Sequence, residues 1–445
     1  MEPLGDEVSE GVVTRATPVP APPTRAVLQA ADTPRTVWSA PGEPTVVGSG
    51  AAAVLTATGT DRFSAVRDAA EDLFSSGNVH AGTEAARPRV FGGFAFHDDH
   101  TGESPWTNFP AAQFVLPRVQ VTYTGDDEAW LTVNAVGPDA TPASVERHIE
   151  QVREELARHP DPGPVADPPG VTRRERTTAK DAWRDSVVRA TERIHAGELR
   201  KVVLAQALRT DLDHDLSIPD ILARLGETYP DCYRFLVEPA DGEPAPAFFG
   251  ATPERLVHLR GRTVSTGALA GTTGRGETPA EDEWLAEELL ADEKNRHEHD
   301  IVADTIRDQL EPYASSVSTG ERRVRRLATV QHLETPITAE LAADEHVLTL
   351  VEALHPTPAV GGLPPKVALA TIRETEPFDR GWYAAPVGWF DAAGYGSFAV
   401  ALRSAVATGD TATLFAGVGI VGDSDPDAEW DEVQLKYRPV LDELE

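Results

Sequence analysis

A mixed α/β fold of the α+β type is predicted by this sequence on three observations. Apolar residues recur at helical spacing in several well-separated segments. Other segments are short apolar runs of strand length. Some neighbouring runs are joined by tight turns, at Gly125-Asp-Asp and Arg260-Gly261, the connection that antiparallel strands make. With 445 residues, 40% of them hydrophobic, the chain can build one large folded unit or two ordinary ones.

In order, residues 1–25, with Pro18, Pro20, Pro22 and Pro23, read as a disordered tail. Residues 26–160 form a variable-looking N-terminal region. Asp61 to Phe74 carries a helical stripe through Phe63, Val66, Ala70 and Phe74. Val90-Phe-Gly-Gly-Phe-Ala-Phe reads as a glycine-interrupted strand, and Phe114–Tyr123 and Ala129–Val136 as a strand pair. Ser144 to Arg158 is helical, with Val145, Ile149, Val152 and Leu156 on one side. The Pro/Gly-rich stretch that begins at His159-Pro and occupies residues 161–175 reads as a linker to a denser region, 176–445. There, Thr178 to His195 is a helix closed by Gly197, and Arg200–Leu208 a strand. Ala247–Leu259 enters a hairpin, Thr266–Gly276 reads as a glycine-rich turn, and Thr278–Glu311 as one long helical segment. A strand at Val330–Leu333, a helix at Lys366–Glu374 and a strand at Phe398–Ala405 follow. The run Thr413-Leu-Phe-Ala leads through Gly417, Gly419 and Gly422 to Asp423-Ser-Asp-Pro, a turn that starts a final helix.

Composition excludes several classes of function. A formal net charge of −32 argues against nucleic acid or an anionic membrane as partner. Cys232 is the only cysteine, so no intrachain disulfide forms and a reducing, cytoplasmic setting is expected. No run of 18 apolar residues appears, and the N-terminus lacks the basic-then-apolar pattern of a secretion signal. In so acidic a protein, any anionic substrate must be met by local cations or a metal.

The candidate chemistry lies after residue 176. Strand alternation puts Lys201, Val203 and Ala205 on one face, so a covered sheet turns the Lys201 amine inward. Such a lysine is either a snorkelling strand-end residue or, buried with a lowered pKa, a base toward water. Glu254 follows a Gly-Ala-Thr-Pro bend amid apolar residues, a setting that raises a carboxyl pKa and suits a general acid; pairing with a nearby arginine is the alternative. The amides around Ala270, Gly271 and Thr272 suit a carboxylate, but no Walker or Rossmann pattern surrounds them. Glu298 shares the apolar face of Ile301 and Val302 and needs a cation there. Lys294 at i−4 is one candidate, and a Mg²⁺ shared with Glu432 is another. Glu429, Glu432 and Lys436 share one face of the last helix, either as a solvated ion-pair surface or as part of a site. His297 and His299 lack the partners of a zinc site. His332 in its apolar strand reads as a core histidine first and a substrate contact second, and Arg403 suits a carboxylate clamp.

Several motifs in this order resemble the chorismate-utilising enzymes, and among them the isochorismate synthases. They are Lys201-Val-Val-Leu-Ala, Ala251-Thr-Pro-Glu254, Ala270-Gly-Thr, Glu293-Lys-Asn-Arg-His-Glu-His299, Gln331-His-Leu, Leu354-His-Pro-Thr-Pro-Ala-Val, Phe378-Asp-Arg-Gly-Trp-Tyr, and Ala416-Gly-Val-Gly-Ile-Val through Glu432 and Lys436. The resemblance implies two large antiparallel sheets wrapped by helices, with the active site between them. It implies a small-molecule substrate, chorismate, and a monomer. Lys201 then activates water for attack at C2 and Glu254 protonates the departing C4 hydroxyl. Glu298 and Glu432, with Glu429 nearby, hold Mg²⁺ against the ring carboxylate. Tyr383 and Arg403 bind the pyruvyl carboxylate, supported by Lys436 and by amides near Gly271 and Gly419. Asn295 departs from the acidic residue that relatives carry three positions before Glu298. Lysine rather than glutamine at 201, and alanine at 270 and 359, separate this chain from relatives that add ammonia, use a nucleophilic lysine, or continue to salicylate. Salicylate synthase and an inactive chorismate-binding subunit are the alternatives. The motifs do not distinguish siderophore, salicylate and menaquinone pathways.

Overall fold

The protein is seen in a computed structural model that describes residues 11–125, 127–158, 160–242 and 245–445. The first ten residues of the expected tail, Asp126 of the expected turn and His159 before the linker lie outside the described residues. The described residues form 21 strands and ten α-helices.

All of the strands join one hydrogen-bonded network. It has two antiparallel arms that part at the long strand Ala112–Tyr123. On one edge this strand pairs with Thr45–Ala57, and the arm continues through Thr36–Ser39, Tyr233–Val237, Ala247–Thr252, Ser404–Thr408, Thr411–Ile420 and Lys201–Leu212. On the other edge it pairs with Arg89–Phe94, and that arm continues through Pro386–Asp391, Gly396–Val400, Arg255–Arg260, Thr263–Gly274 and Val330–Leu341. The two sheets expected from the family resemblance are these two arms.

The chain passes from arm to arm twice near the future site. Pro253-Glu254 carries it from Ala247–Thr252 to Arg255–Arg260, and residues 401–403 carry it back from Gly396–Val400 to Ser404–Thr408. The crossings lie side by side. The Thr252 hydroxyl donates to the Val400 carbonyl at 2.6 Å, and Val400 N donates to the Glu254 carbonyl at 3.0 Å. A segment that changes sheets must leave both ladders, and its side chains then occupy the space between the arms. For that reason the strand expected over Phe398–Ala405 is broken before Arg403, which adopts φ +48.

Four other expectations need correction. Val13–Pro20 is a strand paired with Glu128–Ala135, so the tail expected to reach residue 25 does not extend through it; its prolines sit where an edge position tolerates them. Val171–Arg176, inside the expected linker, is a strand on Lys201–Leu212; its run of arginines and glutamate is exposed, the composition of a protected edge. The glycine-rich turn is mostly the strand Thr263–Gly274. The long helix is two, Pro279–Ala291 and Glu293–Leu310, because extended Asp292 caps the second by accepting from Asn295 N at 2.7 Å. This break aims the second helix, and Glu298 with it, at the space between the arms.

The N-terminal region is woven into the same network rather than set apart, since Arg89–Phe94 and Thr36–Ser39 both pair with strands from the second half. An aromatic cluster fills the interior: Trp106 stacks on Phe415 at 5.2 Å, and Tyr383 stacks on the same ring at 5.3 Å and 20°. Phe415 thereby connects the core to the wall of the site.

Candidate active site

A cavity between the arms collects most of the residues singled out from the sequence: Lys201, Glu254, Ala270, Gly271, Thr272, Glu298, His332, Ala359, Tyr383, Arg403, Gly417, Gly419, Glu429, Glu432 and Lys436 all line it. Lys201 and Val203 reach it from one face of their strand, as alternation predicts. Lys201 is 1% exposed, and its Nζ lies 2.8 Å from Glu298 Oε1. The strand-end snorkelling alternative is therefore wrong for this residue. Beneath the ion pair runs Gly419, where a Cβ would stand 2.7 Å from Glu298 Oε1 and 2.8 Å from Lys201 Cε. Only glycine leaves room for that pair.

The glycine amides also have a direction. Val203 N donates to the Gly361 carbonyl at 2.9 Å and Ala205 N to Glu376 Oε1 at 2.8 Å, so both face away from the neighbouring strand Thr411–Ile420. Their opposite residues, Gly419 and Gly417, are thus non-hydrogen-bonded pairs whose own N–H and C=O groups also turn away from the ladder. Accordingly the Gly417 carbonyl accepts from Lys436 Nζ at 3.0 Å.

Glu254 is buried at the first crossing. Burial raises its carboxyl pKa to about 7, against the pull of Lys201 and Lys436. A carboxylic acid that keeps its proton near neutrality is what a general acid requires. Arg403, at the second crossing, is also buried; its Nη2 donates to His332 Nε2 at 2.9 Å, while Nη1 has no hydrogen-bond partner among the described residues. Because a guanidinium only donates, His332 Nε2 accepts and Nδ1 carries the proton, 3.1 Å from Thr272 Oγ1. Burial, reinforced by the Arg403 charge, holds this imidazole well below its ordinary pKa and so neutral. His332 is thus a satisfied core histidine and a wall residue at once. Burial pushes the Tyr383 phenol well up, leaving it a neutral hydroxyl.

Gly271 lies in a bulge where Thr263–Gly274 slips against Val330–Leu341 between Ala270 and Thr272. Its φ is +76, and a Cβ there would meet Asn295 Oδ1 at 3.1 Å. Asn295 itself is tied back to Asp292, with Nδ2 2.7 Å from Asp292 Oδ1.

The acidic wall comes from two helices. Glu298 projects from Glu293–Leu310, and Glu429 and Glu432 project from Pro426–Leu441, whose Asp425 cap accepts from Asp427 N and Ala428 N at 3.0 Å each. Each glutamate has one lysine: Glu298 has Lys201, Glu432 has Lys436 at 2.8 Å, and Glu429 has Lys294 at 3.5 Å. Lys294 forms its ion pair with Glu429 on the other helix rather than with Glu298, on which it acts only through its charge. Burial works against the Glu298 carboxylate, but the charge and hydrogen bond of Lys201, together with the charges of Lys436 and Lys294, hold the pKa below its ordinary value. Burial raises Glu429 instead, partly offset by a hydrogen bond from Ser424.

Among the described residues no group of three or more His, Cys, Asp and Glu has the spacing of a metal cage. His299 is excluded as a ligand by its own bonds, Nε2 to Thr335 Oγ1 at 2.7 Å and Nδ1 to the Ala270 carbonyl at 3.3 Å, and burial lowers its pKa to about 4. Glu298 and Glu432, which both line the cavity, are oxygen donors of the kind Mg²⁺ takes, one or two carboxylates with water and substrate oxygens completing the shell. Sequence reasoning missed Phe415 as the ring beneath Tyr383.

Comparison with known proteins agrees with this geometry. The family described as "Chorismate binding enzyme" matches residues 6–445. The isochorismate synthase MenF of Bacillus subtilis is 37% identical over 423 residues, covering 92% of this chain and 88% of its own. The salicylate biosynthesis isochorismate synthase of Pseudomonas aeruginosa is 36% identical, covering 93% of this chain and 85% of its own. The solved structure of the menaquinone-specific isochorismate synthase MenF from Escherichia coli superposes with a TM-score of 0.80 at 28% identity, covering 99% of this chain and 97% of that one. By its match along nearly the whole sequence, by these relatives and by its two-armed fold, the chain belongs to the chorismate binding enzyme family.

Proposed function

We propose that the protein is an isochorismate synthase, converting chorismate to isochorismate by adding water at C2 and releasing the C4 hydroxyl as water. The observation that carries this reading is the pairing, in one buried cavity, of an inward lysine with a glutamic acid whose pKa is raised to about 7. Lys201 acts as the neutral amine, not as the ammonium of its ion pair with Glu298, and accepts a proton as a water oxygen bonds to C2. The ring double bonds shift, the C4–O bond breaks, and Glu254 gives its proton to the departing oxygen. One water enters and one leaves, so the formula of the ring compound is unchanged.

The remaining residues bind and orient a dianion. Arg403, with its unpartnered Nη1, and the Tyr383 hydroxyl are the donors for the pyruvyl carboxylate. Lys436 and the amides near Gly271 and Gly419 support the carboxylates, and His332 holds Arg403 in place. Glu298 and Glu432 are the residues that hold Mg²⁺, which supplies positive charge at the ring carboxylate. Glu429, paired with Lys294 and more easily protonated, backs this wall rather than leading it. No helix among the described residues is long and apolar enough to cross a membrane; a cytoplasmic monomer acting on a small molecule is the reading we carry forward.

Purified protein with chorismate and Mg²⁺, its products separated by chromatography, tests the proposal. Isochorismate alone is expected. Salicylate with pyruvate would instead identify a salicylate synthase, and binding without turnover an inactive subunit. Chelation with EDTA is expected to stop the reaction and added Mg²⁺ to restore it, while Glu432→Gln lowers kcat/KM by about 100-fold, the usual scale for loss of a charged group that acts on transition-state charge. Turnover that survives chelation would refute the metal assignment.

A further inference from the structure

The segment Phe378-Asp-Arg-Gly-Trp-Tyr supplies Tyr383 to the cavity, but its arginine has no part in the chemistry above. Arg380 is 1% exposed, and its partner Glu376 has a side chain 3% exposed. Arg380 Nε and Nη2 donate to the two oxygens of Glu376 at 2.8 and 2.6 Å. Its Nη1 donates to the Val360 carbonyl and its Nη2 also to the Val203 carbonyl, both at 2.8 Å. Glu376 Oε1 in turn accepts from Ala205 N at 2.8 Å.

These bonds continue a ladder. At its start the outer edge of Lys201–Leu212 is covered by the loop that ends in Gly362–Leu363, through Arg200 N to the Leu363 carbonyl at 2.7 Å and Val203 N to the Gly361 carbonyl at 2.9 Å. Beyond Val203 this loop turns off, and the next strand on that edge, Val171–Arg176, pairs only from Leu208 onward. The Val203 carbonyl and Ala205 N–H fall in the gap, and the Arg380 and Glu376 side chains bond them there. Through Val360 the same guanidinium holds the residue next to Ala359, and Tyr383 N donates to the Arg380 carbonyl at 2.9 Å.

We infer that Arg380 and Glu376 are positioning residues: together they fix the strand that carries Lys201 against the loop that carries Ala359 and the segment that carries Tyr383. The inference rests on the isochorismate synthase reading. A buried ion pair of this kind is often no more stabilising than apolar residues of equal volume, so fixed geometry is its characteristic contribution. Lysine cannot replace the arginine, because only the planar fork meets a carboxylate and two carbonyls together.

The test uses the full chain with Arg380→Lys and, separately, Glu376→Gln, which is isosteric and retains an oxygen for Ala205 N. Both are assayed well below their unfolding temperatures, with rates expressed per folded molecule from circular dichroism. For Arg380→Lys, kcat is expected to fall about 100-fold, the cost of displacing a reacting group by about 1 Å, with the KM for chorismate changed by less than about threefold. For Glu376→Gln the expected fall is about tenfold, and the amides of Val203 and Ala205 exchange with deuterium faster while those of the other arm do not. A merely structural pair would lower the unfolding temperature and leave kcat per folded molecule unchanged. A kcat within twofold of the parent in either folded variant overturns the inference, and should Arg380→Lys not fold, Glu376→Gln alone decides. Conversion of chorismate by the parent protein tests the functional reading separately; the variant-to-parent ratio and the exchange rates test the clamp.

Discussion

Lys201→Ala is expected to lower isochorismate formation by about 10²–10⁴-fold, the contribution of a positioned general base. The substitution leaves the strand intact, because its neighbours Val202 and Val203 are buried and the ladder to Thr411–Ile420 does not use the side chain. It does remove the counter-charge that holds Glu298 below its ordinary pKa. With that charge gone the Glu298 pKa rises, although Lys436 and Lys294 still favour the carboxylate. Part of the loss therefore appears as weaker metal affinity, and Mg²⁺ titrations of the variant should shift to higher concentration. Circular dichroism and chorismate binding, measured beside turnover, separate loss of chemistry from loss of fold. Turnover within tenfold of the parent, on a folded protein, would remove Lys201 from the role of base.

The second large effect is a pH limb. Glu254 is raised to about 7 by burial, so it carries its proton below that pH and loses it above. A general acid works only when protonated, and kcat/KM should therefore fall as pH rises through about 7. Glu254→Gln keeps the shape and the hydrogen-bonding capacity but has no proton to give. It is expected to cost about 10²–10⁴-fold and to abolish this alkaline limb. A pH profile that keeps the same limb in the glutamine variant would assign that ionisation to another group. Lys201 and Lys436 both act on Glu254, so Lys436→Met should move the limb to higher pH by removing one of the charges that favour the carboxylate.

Much of the site was legible because local spacing controls where side chains point. Period-two alternation put Lys201 on the face that a covered sheet turns inward, and the helical register placed Glu429, Glu432 and Lys436 on one face. What spacing could not reveal was who meets whom. The i−4 spacing offered Lys294 as one candidate cation for Glu298, yet the sheet brings Lys201 to it, and Lys294 pairs with Glu429 on another helix. The burial of Glu254 was expected from its apolar neighbours, but its cause, a crossing between two arms of a sheet, depends on strand pairings far apart in the chain.

The errors in the fold have physical reasons of the same kind. Val171–Arg176 reads as linker because an exposed edge strand is made of charged residues. Asp292 divides a helix whose apolar period runs straight through it, since capping is a property of one residue and periodicity of many. Val347–Leu354 is a helix of eight residues, too short for a helical period to mark it in the sequence.

The account turns on solvent water being the nucleophile that Lys201 activates while Glu254 releases the original hydroxyl. Conversion of chorismate in oxygen-18 water, followed by mass spectrometry of the isochorismate, measures this directly. The account predicts one heavy oxygen in the product, located at C2. Product formed at the normal rate without the label would mean that the original hydroxyl migrates within the ring compound, and would contradict the roles given to both residues.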